Sequence, residues 1–310
     1  MLQWCRTSLA PAPAPRPPSA APDLRAFVTL LLLAWVFGAN HVAARVAFDH
    51  GVDVVTAVAV RSLGTALVVA LIVRARALPV RLAPRQGRWL VVVAGLIAVQ
   101  SLCLYAAVAR LPVALALLAF NSFPVWVALW SALVYRQRPP RAVLWAMPVI
   151  LLGLALALDV TGAAARAAPA GFGTGVAFAL TAAASFGLAL VFTQHELASV
   201  DGRVRTLLTM ALVGTLALVL ALAGGGLHWP QAAPGWAGLV LLTLFYGIGF
   251  TVMFVLLPRL GVAGNSPILN TEPVAALLMA WAVLGQTIAP LQLLGCGVVV
   301  LAVVALGLRR

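Results

Sequence analysis

Two charged residues, Arg61 and Glu272, lie near the middle of long apolar segments of the sequence. A charge at the centre of a membrane span costs about 2.5–3.5 kcal/mol on insertion scales, so each of these residues needs a partner or a function. One interpretation is a structural ion pair between them. The other is that Glu272 takes up a proton or binds a substrate amine, while Arg61 binds a substrate carboxylate or supplies the counter-charge. A third option leaves both side chains unpaired and facing a cavity.

Two asparagine–proline pairs occupy corresponding places in the two halves of the chain. Asn121 precedes Pro124 by three residues, and Asn270 precedes Pro273 by three. Proline removes a backbone hydrogen bond and kinks a helix, and the asparagine amide can bond to the backbone groups that are freed. The two prolines are therefore candidate hinges, and paired interruptions of this kind are typical of a midplane binding site. The alternative is that the asparagines only repair the kinks.

Further polar and aromatic side chains interrupt the apolar segments. A histidine such as His41 can change its charge near neutral pH, but a lone histidine is also a common helix–helix contact. Aromatic rings at helical spacing suit the wall of a site for an amphiphile and suit plain packing equally. The residues that could line a hydrated cavity on this basis are Asn40, His41, Gln100, Tyr105, Trp126 and Tyr246.

The composition decides which kind of protein must position these residues. With 64% apolar and 9% charged residues and a mean hydropathy of +1.09, the chain has too little polar surface for a water-soluble globule. Its formal charge of +13 comes from arginines in short clusters between apolar segments. That pattern is typical of the cytoplasmic loops of a membrane protein and argues against nucleic-acid binding. The sequence predicts no metal site and no cofactor.

The apolar segments predict ten transmembrane helices, each about as long as a bilayer core requires. Residues 1–25, which are rich in proline and alanine, are expected to form a disordered cytoplasmic tail. The predicted spans are 24–48, 52–73, 89–109, 112–135, 142–158, 172–193, 206–223, 236–257, 262–284 and 290–308.

The arginines predict the orientation of these spans. With a cytoplasmic N-terminus, 16 arginines fall on the cytoplasmic side and only Arg45, Arg110 and Arg166 fall outside. An even number of spans returns Arg309 and Arg310 to the cytoplasm. We therefore predict a multi-pass protein of the bacterial inner membrane with both termini in the cytoplasm.

An internal repeat divides the chain into two halves. Shifting the sequence by 149 residues aligns 110–158 with 259–307 without a gap, and 13 of the 49 pairs are identical, the two asparagine–proline pairs among them. The repeats are predicted at 26–158 and 171–308. Because each holds five spans, an odd number, the second must be inverted relative to the first. The predicted fold class is thus an all-α membrane protein of ten helices in two inverted five-helix repeats.

Several motifs resemble the drug/metabolite transporter superfamily, in particular its ten-helix EamA branch. The resemblance covers roughly residues 26–308 and departs from the family pattern where spans four and nine usually end in a glutamate, since Arg136 or Gln137 and Gln286 stand there. The motifs that carry it are Trp35-Val36-Phe37-Gly38-Ala39-Asn40, Arg61, Asn121-Ser122-Phe123-Pro124, Asn270-Thr271-Glu272-Pro273-Val274, Trp281 and Leu284-Gly285-Gln286.

The resemblance implies export of small metabolites, such as amino acids or related amphiphiles, driven by proton or substrate gradients. The expected partners are the lipid bilayer, a small-molecule substrate, protons, and a second copy of the chain as a candidate homodimer partner. A passive facilitator or channel is the main alternative, because inverted repeats occur there too. A membrane-embedded enzyme is the other alternative, but the convergent catalytic groups that it needs are not visible in the sequence, and no enzymatic activity is expected.

Overall fold

The computed structural model describes residues 24–137, 141–157, 171–252, 271–286 and 289–308, and within these ranges every regular element is an α-helix. Residues 1–23 of the predicted tail and Asn270 lie outside the described residues, whereas Leu24 and Arg25 belong to the first helix. The helices are α1 (Leu24–Asp49), α2 (Val54–Ala75), α3 (Pro84–Val108), α4 (Val113–Phe120), α5 (Phe123–Tyr135), α6 (Arg141–Ala157), α7 (Phe172–Glu196), α8 (Gly202–Ala223), α9 (Ala233–Thr251), α10 (Glu272–Leu284) and α11 (Pro290–Leu308).

Seven of the described segments are long and apolar enough to cross a membrane, and three shorter apolar helices lie within α6, α10 and α11. Their outer faces carry many exposed large apolar side chains, as the lipid-facing surface of a membrane protein does. Together these ten segments match the ten predicted spans in order. The chain is therefore embedded in a membrane and crosses it several times.

The fourth span is not one kinked helix but two helices, α4 and α5, separated by Asn121 and Ser122. Pro124 lies in the first turn of α5, where its missing N–H costs nothing, and so it starts a helix instead of bending one. Asn121 Nδ2 donates to Leu117 O at 2.8 Å, and Ser122 Oγ donates to Ala119 O at 2.7 Å. The same two carbonyls also accept backbone hydrogen bonds from Asn121 N and Ser122 N, so each serves two donors at the end of α4.

The helix that follows this break, α5, has a counterpart in the second repeat at the 149-residue offset. Helices α5 and α10 both have 13 residues, and they begin at Phe123 and Glu272 respectively, each with a proline in the first turn. Both end on a left-handed residue, Arg136 with φ 54° and Gly285 with φ 63°. Each helix end also has an equivalent backbone hydrogen bond: Gln137 N donates to Ser131 O, and Gln286 N donates to Ala280 O. The offset found in the sequence is thus a structural repeat.

Contacts among the connecting loops show which loops share an end of the helix bundle. At one end, called here the 50–53 end, Gln231 N donates to His50 O at 3.0 Å, and Arg45 Nη1 donates to Leu111 O at 3.3 Å. The loops gathered at this end are 50–53, 109–112 and 224–232.

At the other end, called the 76–83 end, Arg85 Nη2 donates to Glu196 Oε2 at 2.8 Å, and Gln137 Nε2 lies 2.9 Å from His195 Nε2. The loops gathered here are 76–83, 136–137 and 197–201. Helix α1 therefore ends at the 50–53 end, whereas its repeat counterpart α7 ends at the 76–83 end. The two five-helix repeats are inverted, as the odd number of spans predicts.

The two repeats interlock so that the principal helix contacts join one repeat to the other. Helix α1 packs on α9 and α10, and its counterpart α7 packs on α3 and α5. Two glycines at the repeat offset permit these crossings: a Cβ on Gly38 would lie 2.9 Å from Ala276 N, and one on Gly187 would lie 3.0 Å from Val127 N. Only glycine allows backbones to approach this closely.

Candidate functional site

Arg61, near the middle of α2, is buried and lies between two tyrosine rings. Its guanidinium carbon is 3.9 Å from the ring centroid of Tyr246 on α9 and 4.6 Å from that of Tyr105 on α3. Only 3% of the arginine and 1% of Tyr105 is exposed. A guanidinium over an aromatic face is stabilised by the ring quadrupole, and more strongly when both groups are removed from water.

Arg61 has no acidic partner in the described part of the chain. The five acidic residues described there each pair with a different basic side chain, so none is left for this arginine. The pairs are Asp49 with Arg45, Asp53 with His228, Glu196 with Arg85, Asp201 with Arg203 and Glu272 with His41. The tyrosine faces thus partly compensate a buried positive charge that has no counter-ion within the described residues.

The ion pair between Arg61 and Glu272 that the sequence suggests is not formed. Glu272 Oε1 instead lies 3.4 Å from His41 Nε2, and the carboxyl side chain is 24% exposed. Glu272 is the first residue of α10, where the partial positive charge of a helix N-terminus favours a carboxylate. The fold brings α1 and α10 into direct contact, and this pairing decides the partner of Glu272.

Tyr105 joins the His41–Glu272 pair to Arg61. Its ring packs edge-on against His41 with centroids 5.9 Å apart, and its hydroxyl donates to Asn40 Oδ1 at 3.3 Å. The contacts run without interruption from Glu272 through His41 and Tyr105 to Arg61 and Tyr246. We call these residues, with Asn40, the polar cluster; it unites α1, α2 and α3 of the first repeat with α9 and α10 of the second.

Several buried polar atoms in and beside the polar cluster have no hydrogen-bond partner among the described residues. They include Arg61 Nε, Asn40 Nδ2, His41 Nδ1 and the hydroxyl of Ser62. A buried polar group without a partner costs about 1–3 kcal/mol, and native proteins keep few of them. Their concentration on α1 and α2 marks this place as a site with unused hydrogen-bonding capacity.

The remaining sequence-predicted residues lie outside this cluster. The amide of Asn121 is engaged by the backbone at the break of span four, and Trp126 stacks on Trp130 with ring centroids 6.2 Å apart while packing against Gly187. Gln100 is half-buried and accepts a hydrogen bond from the hydroxyl of Ser101 at 3.3 Å. Pro124 and Pro273 occupy the first turns of α5 and α10.

The 149-residue offset aligns no polar side chain with any residue of the polar cluster. The 149-residue offset places Met210 where Arg61 stands, Leu190 where His41 stands and Phe123 where Glu272 stands. Phe123 belongs to a group of rings with Phe120 and Phe186, whose centroids are 5.2–5.8 Å apart. The two repeats therefore share one arrangement of helices but differ in their side chains. The polar cluster lies at one helix crossing, and the phenylalanine rings lie at the equivalent crossing.

The sequence interpretation missed two sets of residues. Met210 contacts the cluster, since the hydroxyl of Tyr246 lies 3.8 Å from its sulfur, and the repeat alignment with Arg61 could have shown this. At the 76–83 end, Glu196 accepts a hydrogen bond from the Tyr135 hydroxyl at 2.9 Å, and the Tyr135 ring stacks on His195 at 3.9 Å. These contacts tie the ends of the fourth and sixth spans together.

Comparisons with known proteins agree with this architecture. The sequence model of the EamA-like transporter family matches residues 24–158 and 173–308, one match for each repeat. Fifteen solved protein chains match in structure. One of them, titled only "Crystal structure of protein", superposes with a TM-score of 0.60 at 18% sequence identity, over 92% of this chain and 99% of its own length, and so shares the fold. No curated protein gives a significant match.

Proposed function

The chain belongs to the EamA-like transporter family, and from this membership and the geometry of the polar cluster we propose that it exports small metabolites by alternating access. The proposed setting is the bacterial inner membrane, with both termini and the 76–83 end on the cytoplasmic side. The charge distribution supports this orientation, because the loop at 76–83 and the start of α3 together hold Arg76, Arg81, Arg85 and Arg88. Family membership points to transport and away from enzymatic activity.

The observation that carries the proposal is the position of the polar cluster between the two repeats. Arg61, His41 and Tyr105 come from the first repeat, whereas Tyr246 and Glu272 come from the second. Alternating access in inverted-repeat transporters proceeds by movement of one repeat against the other around a fixed site. Groups contributed by both repeats would then face each side of the membrane in turn.

The contact between His41 and Glu272 supports proton coupling. A proton delivered to this pair changes its net charge, and the pair lies where α1 crosses the start of α10. Glu272 is also the first residue of α10, so a change in its charge acts at a helix terminus and not within a rigid helix. Loading and unloading a proton would thereby bias the two orientations of the repeats.

The test is transport by purified protein in proteoliposomes. A thermal-shift screen with the common amino acids and small carboxylates first selects a ligand, and counterflow of that radiolabelled ligand then measures exchange. An imposed pH gradient should drive accumulation by the wild type. Glu272→Gln, which keeps the size of the side chain, should retain counterflow and lose the pH-driven accumulation.

Asp49→Asn is the matched control, because Asp49 is an exposed acid at the 50–53 end paired with Arg45, outside the polar cluster. It should accumulate ligand as the wild type does. Undiminished accumulation by Glu272→Gln would exclude the coupling role of that residue. Flux that neither saturates nor responds to the pH gradient would identify a passive facilitator instead.

A further inference from the structure

We propose that Arg61 is the anchor for the carboxylate group of a monoanionic substrate that has an apolar body. This inference rests on the proposed function and names the chemical class of its substrate. The starting observation is that Arg61 is 97% buried and that every described acidic residue pairs with another basic side chain. A buried charge without a partner raises the free energy of the folded protein. A ligand that neutralises this charge removes that cost, and its binding free energy becomes more favourable.

The unpaired donors near Tyr105 suit an oxygen anion. Arg61 Nε has no acceptor among the described residues, and neither has Asn40 Nδ2, whose own Oδ1 accepts from the Tyr105 hydroxyl. Both residues thus contact Tyr105 and still have a donor to offer. A carboxylate has two oxygens with several lone pairs and forms strong, short bonds to guanidinium groups.

Arg61 favours a single negative charge on the ligand. Its one positive charge has no acidic partner among the described residues, whereas Glu272 lies 3.4 Å from His41. A monoanionic carboxylate would neutralise Arg61, whereas a dianionic phosphate would leave an excess negative charge beside it. A purely cationic substrate would be repelled by the guanidinium.

An aromatic surface next to Arg61 provides for the apolar body. The Tyr246 ring, whose centroid is 3.9 Å from the guanidinium carbon, lies 4.4 Å from the ring of Phe250, and Phe250 lies 6.1 Å from Phe37. These rings continue from Arg61 along α9 and α1 toward the 76–83 end. A carboxylate bound at Arg61 would therefore carry its apolar part against the rings and not against a polar wall.

The test measures binding of benzoate and of benzamide, its neutral isostere, to purified protein in detergent by thermal shift and tryptophan fluorescence. Binding in detergent needs neither a gradient nor transport, so its result is independent of the coupling test above. Benzoate should bind saturably to the wild type, and benzamide at least about tenfold more weakly, because it lacks the charge that pairs with the guanidinium.

Arg61→Met should lose benzoate binding by about tenfold or more. Methionine is the residue that the second repeat places at the equivalent position, Met210, so the replacement suits the packing of these helices. Arg110→Met is the matched control, because Arg110 also lies over an aromatic ring, that of Phe178 at 5.1 Å, but is exposed. It should bind benzoate as the wild type does.

Arg61→Lys gives a second reading in case the methionine variant does not fold. It keeps the charge but loses the planar fork of donors, so benzoate binding should weaken several-fold and remain stronger than benzamide binding. Equal binding of benzoate and benzamide to the wild type would overturn the proposal, as would undiminished benzoate binding by Arg61→Met.

Two further arms separate a carboxylate from other sources of negative charge. Sodium chloride and sodium phosphate at matched ionic strength should not displace benzoate, and phosphatidylglycerol added to the micelles should not displace it either. Displacement by chloride or phosphate would make this an inorganic anion site, and displacement by phosphatidylglycerol would make it a lipid headgroup site. Either result contradicts the proposal.

Discussion

Arg61 shows how a full charge can be kept inside a membrane protein without a carboxylate beside it. Each tyrosine face contributes about 0.5–2 kcal/mol of cation–π attraction, and the two faces together offset much of the insertion cost of about 2.5–3.5 kcal/mol. Arg61 Nε has no hydrogen-bond partner among the described residues, although the guanidinium carbon lies 3.9 and 4.6 Å from the ring centroids of Tyr246 and Tyr105. The residue is held in place and keeps its hydrogen-bonding capacity.

The contact between His41 and Glu272 can be measured as a coupling free energy. His41→Leu introduces the residue that the second repeat has at this position, and Glu272→Gln removes the charge of its partner. Each single change leaves the other group partly buried without its partner, so each should destabilise the protein. The double variant should be less destabilised than the sum of the two by about 1 kcal/mol.

The measurement is unfolding in sodium dodecyl sulfate followed by tryptophan fluorescence. Strictly additive single variants would show that the 3.4 Å contact has no energetic consequence.

At the scale of the helix, span four is built from two helices, so that it ends and restarts within the membrane. The residues Asn121 and Ser122 bond back to α4, and the prolines of spans four and nine lie where helix initiation tolerates them. Such a break leaves backbone groups that a continuous helix would consume, and it separates two rigid pieces. Glu272, in the polar cluster, is the first residue of α10, the counterpart of the helix that follows this break.

The left-handed ends of α5 and α10 predict opposite effects of two substitutions. Arg136 adopts a positive φ that disfavours any side chain, so Arg136→Gly should stabilise the protein by about 1 kcal/mol. Gly285→Ala imposes the same strain on the equivalent position and should destabilise it by about 1 kcal/mol. Midpoints of unfolding in sodium dodecyl sulfate give both values, and changes of the same sign would contradict the equivalence of the two helix ends.

The glycines at the helix crossings predict that one added methyl group is harmful at two places and harmless at a third. Gly38→Ala and Gly187→Ala would each place a Cβ about 3 Å from a backbone nitrogen of the neighbouring helix. Each should lower the free energy of unfolding by about 1–3 kcal/mol, because the helices must move apart. Gly95→Ala, in α3 with no atom within 4 Å of its added Cβ, is the matched control and should be neutral or stabilising. Yield and thermal stability in detergent measure the difference, and equal effects at all three positions would contradict the role of the close crossings.

At the scale of the whole molecule, a symmetric architecture carries an asymmetric chemistry. The crossings of α1 with α10 and of α7 with α5 are equivalent, yet the first holds the His41–Glu272 contact and the second faces the rings around Phe123. Symmetric packing allows the two orientations of an alternating-access transporter to have similar energies. Under the proposed function, the asymmetric chemistry would let a substrate bind and be recognised at the polar cluster and not at the equivalent crossing.

The inverted topology and its orientation predict a labelling pattern. In a variant without the native cysteines, Ala232→Cys at the 50–53 end should react with a membrane-impermeant maleimide in intact cells. Val80→Cys at the 76–83 end should react only after permeabilisation, since arginine-rich loops stay in the cytoplasm. Both positions are exposed. The reverse pattern would invert the proposed orientation, and labelling of both sites from outside would contradict the arrangement of the loops.

The sequence by itself determined the class of fold and its internal symmetry, because these depend on properties that are local or periodic. Apolar segments of span length define the helices, and one constant offset with an odd number of spans per repeat implies inversion. The same offset aligns the prolines that lie in the first turns of α5 and α10, since proline acts on its own backbone. Family membership follows from such short motifs as well.

Which side chains meet was decided only by the tertiary structure. Two opposite charges in apolar segments suggest an ion pair, but helix crossings place His41 beside Glu272 and two tyrosine faces against Arg61. A residue near the middle of a span can face lipid, a neighbour or the centre, and rotation of the helix about its axis selects among these. That rotation is set by close packing against several other helices at once, through glycines such as Gly38, and no single segment of sequence contains it.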